Sequence, residues 1–211
     1  MDYFPIDNSD VPIRLFKSNF LEFFTHISPV VVDLIWLPIA LFFLLQAILQ
    51  APASPFPLYI PLGFLLGLFL WTLAEYLLHR FLFHMKVKGE RAKHIIFLFH
   101  GIHHAQPQIK TRLVMPPVVS IPMAAIFYGL FTLVFAVLLH ATQWVFPLFS
   151  GFILGYLVYD NTHYAQHHFP MRRGYFKYIK RYHMQHHYKT PEKRFGVSSP
   201  LWDFVFKTYP G

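Results

Sequence analysis

PLYIPLGFLLGLFLWTLAEYLLHRFLFH, residues 57–84, runs almost uninterruptedly apolar from Pro57 to Leu78 and then sets two histidines, His79 and His84, at its end. About 20 helical residues cross a bilayer core about 30 Å thick, so the stretch reads as a membrane span at residues 57–78. Three more stretches meet the same criterion, near residues 30–50, 115–139 and 145–162. The composition agrees: of 211 residues, 55% are hydrophobic, 19% aromatic and 13% charged, apolar beyond the usual range of a soluble domain. No linker, repeat or low-complexity tract divides the chain. The expected architecture is an all-α integral membrane protein. It has an interfacial segment at 1–29, then one domain at 30–211 in which four spans form two hairpins and residues 79–114 and 163–211 form a helical cap.

The charges orient this arrangement. The connection Ala51-Pro52-Ala53-Ser54-Pro55-Phe56-Pro57 and the one from His140 to Trp144 carry no Lys or Arg. All 18 basic residues fall in the other segments: two before span one, seven between spans two and three, and nine after span four. By the positive-inside rule that side is cytoplasmic, with both termini, which suits a bacterial inner membrane or the endoplasmic reticulum. Residues 1–20 lack the basic and apolar regions of a cleaved leader. Residues 11–28, with Leu15, Phe16, Phe20, Phe23 and Phe24 among polar residues, read as a helix lying in the interface. The net charge of +8 is explained by topology and anionic headgroups. No recognition motif for nucleic acid accompanies it.

Eleven of the 14 histidines form four tight groups: His79-x4-His84, His100-x2-His103-His104, His163-x3-His167-His168 and His183-x2-His186-His187. The topology brings all four to one membrane face. Spacings of three and four put each of the last three groups on one face of a helix. His79 and His84 are five apart, so their helix must end or distort between them. Imidazole is the commonest transition-metal ligand, one metal takes about four to six donors, and the clustered histidines therefore suit two metals. Crowding so many imidazoles without metal would carry a desolvation and repulsion penalty. His26, His94 and His140 stand alone and read as interfacial or satisfied residues. Cysteine is absent, which removes thiolate zinc sites, iron–sulfur clusters and disulfides. Glu75, one turn before His79, and Asp160, three residues before His163, are placed to accept the second ring N–H of a ligand. Tyr164 and Tyr182 stand beside ligands. A zinc hydrolase would not call for ten histidines, oxygen activation by a di-iron pair uses the extra ligands, and a lipid substrate would explain the membrane, while the spacing itself does not choose between iron and zinc.

The four boxes are His79-Arg80-Phe81-Leu82-Phe83-His84; His100-Gly101-Ile102-His103-His104, leading to Arg112-Leu113-Val114-Met115-Pro116-Pro117; Tyr159-Asp160-Asn161-Thr162-His163-Tyr164; and His183-Met184-Gln185-His186-His187-Tyr188, followed by Phe195-Gly196-Val197 and Trp202-Asp203. From about Arg14 to the C-terminus the chain resembles the fatty acid hydroxylase superfamily, most closely its fatty acid 2-hydroxylases of sphingolipid acyl chains. The resemblance implies a di-metal lipid monooxygenase that inserts one oxygen atom from O2 at C2 of a long or very-long acyl group, free or in ceramide. It implies one metal on His79, His84, His100, His104 and His186, the other on His103, His163, His167, His183 and His187, and His168 beside the ligands. Iron is the expected active metal and zinc an adventitious occupant. Many fungal and animal members carry a cytochrome b5 domain, and about ten residues precede the interfacial segment here, so the electrons are expected from a separate protein such as cytochrome b5 or a ferredoxin. An acyl chain kept in lipid would present C2 at headgroup depth, with Phe81, Leu82, Phe99 and Met115 as its expected contacts. The rival readings are a sterol or other lipid oxidase or desaturase of the same histidine-box class and, outside enzymes, a membrane metal-binding or transport protein. The Trp202-Asp203 ending and compact size favour the acyl hydroxylase. A transporter would want ionisable ligands inside the spans.

Overall fold

The computed structural model describes residues 6–52, 55 and 57–209; Ala53, Ser54 and Phe56 of the expected first hairpin connection lie outside the described residues. Every regular element among the described residues is helical. In chain order these are α1 (Asn19–Phe23), α2 (Pro29–Leu49), α3 (Tyr59–Leu77), α4 (Glu90–Ile96), α5 (Ile102–Ala105), α6 (Pro117–Phe131), α7 (Val145–His168), α8 (Gly174–Tyr188) and α9 (Leu201–Val205). Wider π-turns continue α3 (Leu78–Phe83), α4 (Phe97–Gly101) and α6 (Thr132–Leu138). Among the described residues, four helices are long and apolar enough to cross a membrane: Pro29–Leu49, Tyr59–Phe83, Lys110–Leu138 and Thr142–His168. The chain divides into a span unit, Val30–Thr72 with Met115–Val158, and a histidine unit, Met1–Pro29 with Leu73–Val114 and Tyr159–Gly211.

In the span unit α7 is the most buried helix, with Leu148, Phe149, Phe152, Ile153, Tyr156 and Leu157 all inside. Small residues let α3 approach it: a Cβ on Gly67 would fall 2.0 Å from the Leu148 carbonyl oxygen, and one on Gly151 2.0 Å from that of Phe64. Lipid tails are as apolar as leucine, so such close packing and a few buried hydrogen bonds must hold the bundle. Ser150 Oγ donates to the Ala40 carbonyl at 2.7 Å, and Trp36 Nε1 donates to Ser120 Oγ at 3.1 Å. Edge-to-face rings complete it, with Trp71 5.1 Å from Phe152 and 5.3 Å from Tyr156. The outward faces of α2 and α6 expose Leu34, Leu41, Phe42, Ile126 and Leu130, the pattern of a lipid-facing surface.

In the histidine unit the N-terminal segment differs from expectation. Only Asn19–Phe23 is helical, not residues 11–28. The backbone N–H groups that a longer helix would need are taken by side chains: Ile13 N–H by Gln106 Oε1 at 2.9 Å, and Leu15 and Phe16 N–H by Glu22 Oε2 at 3.0 and 2.8 Å. The segment instead runs as a strap along residues 105–112. Asp7 N–H donates to Ala105 O at 2.8 Å and Ile27 N–H to Thr111 O at 2.8 Å. Gln108 Nε2 donates to the carbonyls of Asp7 and Ser9 at 2.7 and 2.9 Å. Arg112 donates to Ile13 O and pairs with Glu22.

Candidate metal centre

Four chain segments of the histidine unit deliver the clustered histidines. His79 lies on the π-turn that continues α3 and His84 caps it, its N–H reaching the His79 carbonyl at 3.0 Å. Closing that ring at i→i+5 widens the helix by one residue and brings a pair five apart onto one side. His100 lies in the π-turn after α4, and His103 and His104 lie on α5. His163 and His167 lie on the last turns of α7, and His183, His186 and His187 on α8. His79, His84, His100, His103, His163, His183, His186 and His187 are buried, His104 and His167 partly so.

The ten histidines expected as ligands gather into two groups of five, His79, His84, His100, His104 and His186, and His103, His163, His167, His183 and His187, with one ring nitrogen from each lying within 4.8 Å of the others in its group. In the first group Nε2 of His100 is 3.1 Å from that of His79 and 3.0 Å from that of His104, and Nε2 of His186 is 3.1 Å from that of His84. In the second, His103 Nε2 is 3.0 Å from those of His163 and His187, and His183 Nε2 is 2.9 Å from that of His167 and 3.0 Å from that of His187. Hydrogen bonding alone does not account for this convergence. Each neutral ring has one N–H, and His79 and His186 direct their Nδ1 to carbonyl oxygens, Phe195 O at 2.5 Å and Lys193 O at 2.7 Å. Their Nε2 lone pairs therefore face inward. Two nitrogens about 2.1 Å from one ion lie about 3.0 Å apart at a right angle and about 3.4 Å apart at the tetrahedral angle. The spacing is compatible with five imidazoles on one ion in each group.

Electrostatics agrees with ligation by neutral imidazole. Burial, and then the neighbouring rings, hold His84, His100, His103, His183, His186 and His187 well below the usual imidazole range. Burial, with the His79 ring second, brings His104 down to about 3. At neutral pH these rings carry lone pairs, the form a metal binds.

The first group rests on the loop Phe195-Gly196-Val197-Ser198. Buried Glu75 does not receive a ligand N–H, as the sequence suggested: its carboxylate accepts the Val197 and Ser198 N–H groups at 2.6 and 2.8 Å and the Ser198 hydroxyl. The His79 N–H that was expected to reach it goes to Phe195 O instead. Fully buried Asp203 accepts the N–H groups of Phe195 and Gly196 at 2.9 and 2.7 Å and the Thr208 hydroxyl at 2.6 Å. Gln166 Nε2 donates to Val197 O at 2.8 Å. Gln166 lies inside the third box, between His163 and His167, whereas Asp203 has no periodic relation to the boxes, and the Phe195-Gly196-Val197 and Trp202-Asp203 stretches are the sequence signals that pointed here.

Asp160 is buried in the same unit. The Tyr159 ring stacks on His163 at 5.8 Å. His168 is half-buried with Tyr164 against it, ring centroids 4.7 Å apart. Phe81 and Phe99 are 57% and 47% exposed and Leu82 is half-buried, so this unit presents apolar side chains outward. Met115 belongs to the span unit, where its carbonyl accepts the Tyr156 hydroxyl at 3.4 Å. Of the three lone histidines, His26 lies between Thr111 Oγ1 at 2.7 Å and Arg112 at 2.9 Å. His94 and His140 are exposed.

Comparison with known proteins places this geometry in a family. The fatty acid hydroxylase family profile matches residues 64–208. A dihydroceramide fatty acyl 2-hydroxylase of Arabidopsis thaliana is 36% identical over 98% of this chain and 83% of its own length. The ceramide very long chain fatty acid hydroxylase of Schizosaccharomyces pombe is 40% identical over 90% of this chain and 53% of its own. A solved structure described as full-length scs7p, with only its hydroxylase domain visible, superposes with a TM-score of 0.82 at 39% identity, covering 92% of this chain and 70% of that one. The chain belongs to the fatty acid hydroxylase family.

Proposed function

We propose that the protein is a membrane fatty acid 2-hydroxylase, a di-iron monooxygenase acting on the acyl chain of a membrane lipid, free or within a ceramide. The observation that carries the reading is the pair of buried five-imidazole groups in a chain with four membrane-length helices. The names of its relatives, dihydroceramide fatty acyl 2-hydroxylase and ceramide very long chain fatty acid hydroxylase, supply the substrate class. His79, His84, His100, His104 and His186 would hold one iron and His103, His163, His167, His183 and His187 the other. When bound, the pair supplies the O2 activation that no side chain provides.

Overall, one C–H bond at C2 becomes C–OH, the second oxygen atom leaves as water, and two electrons and two protons are consumed. A separate one-electron carrier such as cytochrome b5 or a ferredoxin supplies the electrons. The chain's own work is to hold ten imidazoles neutral, exclude bulk water from them and keep the ring orientations fixed. The all-α spans serve as anchor, with residues 79–114 and 163–211 and both termini on the cytoplasmic side, where all 18 basic residues fall. Each buried methylene favours lipid over water by about 0.8 kcal/mol, so the acyl chain remains in the bilayer. Depth then selects C2, with Phe81, Leu82 and Phe99 as its nearest apolar supports.

The test is mass-spectrometric product mapping of lipids from cells expressing the wild type or His103→Ala. A hydroxyl confined to C2 across acyl lengths, and lost in the variant, is expected. A position that moves with distance from the methyl end, or a hydroxylated sterol, would defeat the proposal.

A further inference from the structure

The two imidazole groups are not supported alike. In the first, His79 and His186 each direct Nδ1 to a backbone carbonyl, at 2.5 and 2.7 Å, and both carbonyls belong to one short segment, Lys193 to Phe195. That segment and its continuation to Ser198 are clamped from three helices. Asp203 on α9 takes two of its N–H groups, Glu75 on α3 takes the next two and a hydroxyl, and Gln166 on α7 donates to Val197 O. A side chain at Gly196 would place its Cβ 2.0 Å from Ser199 O, so the loop closes as tightly as backbone allows. In the second group, His163 Nδ1 and His183 Nδ1 are buried without a hydrogen-bond partner among the described residues. A ring whose second nitrogen donates to a fixed acceptor is locked in tautomer and orientation and is the more basic ligand; losing such a partner typically lowers metal affinity about 10–100-fold.

We propose that the two metal positions differ in hold: the first group, locked through the Lys193–Ser198 loop, retains its ion, and the second releases its ion first. Asp203 and Glu75 act as positioning residues for the first group alone. The inference rests on the di-metal reading above.

The experiment follows metal rather than activity. Full-length protein loaded with iron or zinc is exposed to excess chelator at neutral pH, and metal per chain is measured against time by elemental analysis. Two phases of one ion each are expected, and an affinity difference of about 10–100-fold expressed in release separates their rates by the same factor. His183→Ala should abolish the fast phase and keep the slow one, and His186→Ala should do the reverse. Asp203→Asn should accelerate the slow phase toward the fast one and leave the fast phase unchanged. Glu75→Gln carries the same prediction and serves if the first variant fails to fold. Release of both ions in one phase, or a slow phase that belongs to the second group, overturns the inference. Equal acceleration of both phases by Asp203→Asn reduces that residue to general architecture and overturns its positioning role. Fewer than two ions per folded chain at saturating metal, before chelator is added, defeats the di-metal reading itself, so the two failures are distinguishable.

Discussion

Stripping the metals and lowering the pH should melt the histidine unit within about one pH unit below the ordinary imidazole range. Seven of the ten clustered histidines lie outside the apolar spans: His84, His100, His103, His104, His183, His186 and His187. All seven are held below 6.5, by burial first and other contacts second. The folded unit therefore stays unprotonated there, while the unfolded chain takes up protons as pH falls through 6.5. Stability is fully present above 6.5 and declines below it, because the unfolded state then binds more protons. Each fully depressed imidazole contributes a slope of about 1.4 kcal/mol per pH unit. Seven together give about 10 kcal/mol per unit and four about 5, against a total stability of about 5–15 kcal/mol for a typical domain.

The assay is thermal melting from pH 8 to 5 in detergent or nanodiscs, with and without metal. Circular dichroism reports helix, and the fluorescence of Trp202, the one tryptophan in the histidine unit, reports local order. Metal-free protein should show a steep fall in Tm starting near pH 6.5. Loaded protein should hold to lower pH, because protons must then displace an ion from each Nε2. A metal-free Tm that is flat from pH 7.5 to 5.5, or a loaded protein that falls as early, would refute the reasoning.

Three further outcomes follow from single contacts. Gly151→Ala puts a Cβ 2.0 Å from Phe64 O and must push α3 and α7 apart, at about 1–3 kcal/mol of overpacking, whereas Gly129→Ala, with nothing within 4 Å, should leave Tm unchanged; equal Tm in the two variants would show the close approach to be unimportant. Arg112→Met removes the donor to Ile13 O and the partner of Glu22, and losing hydrogen bonds of a charged, partly buried pair of this kind costs about 1.5–3 kcal/mol, so hydrogen exchange at Leu15 and Phe16 should quicken; unchanged protection would mean the strap is held elsewhere. Because the chain has no cysteine, Thr142→Cys should label from outside the cytoplasm and Lys88→Cys and Lys207→Cys from within, and labelling of all three from one side would break the four-span topology.

How far the sequence could carry these conclusions depends on whether a feature is local. A span announces itself in 20 adjacent residues, and His183-x2-His186-His187 announces a helix face in five, because helical period alone decides which side chains meet. Even the π-turn had a trace, since a ligand pair at i, i+5 fits no regular α-helical face and the His84 N–H does return to His79 O. The N-terminal strap shows where local reading fails. Leu15, Phe16, Phe20, Phe23 and Phe24 have the look of an amphipathic helix, but propensity is weak beside partners 80 to 100 residues away. Gln106 takes the Ile13 N–H and donates to Asp7 Oδ2 at 2.8 Å and Val11 O at 3.0 Å, and each such bond withdraws one group a helix would have used.

Glu75 makes the same point inside the metal centre. One turn before His79, with a carboxylate, it is placed as a direct support for the ring. The ring N–H goes instead to Phe195 O, a carbonyl 116 residues along the chain that sequence spacing cannot mark, and Glu75 reaches the histidine through the Val197 and Ser198 N–H groups and the Ser198 hydroxyl of the same loop. Backbone acceptors carry no residue identity, so the sequence reveals donors and ligands before it reveals what orients them. The buried carboxylates are the readable half of such an arrangement. A fully buried Asp203 with two backbone N–H groups and a hydroxyl on it marks a loop held in one place, and the carbonyl of that loop on His79 explains why the loop must be fixed.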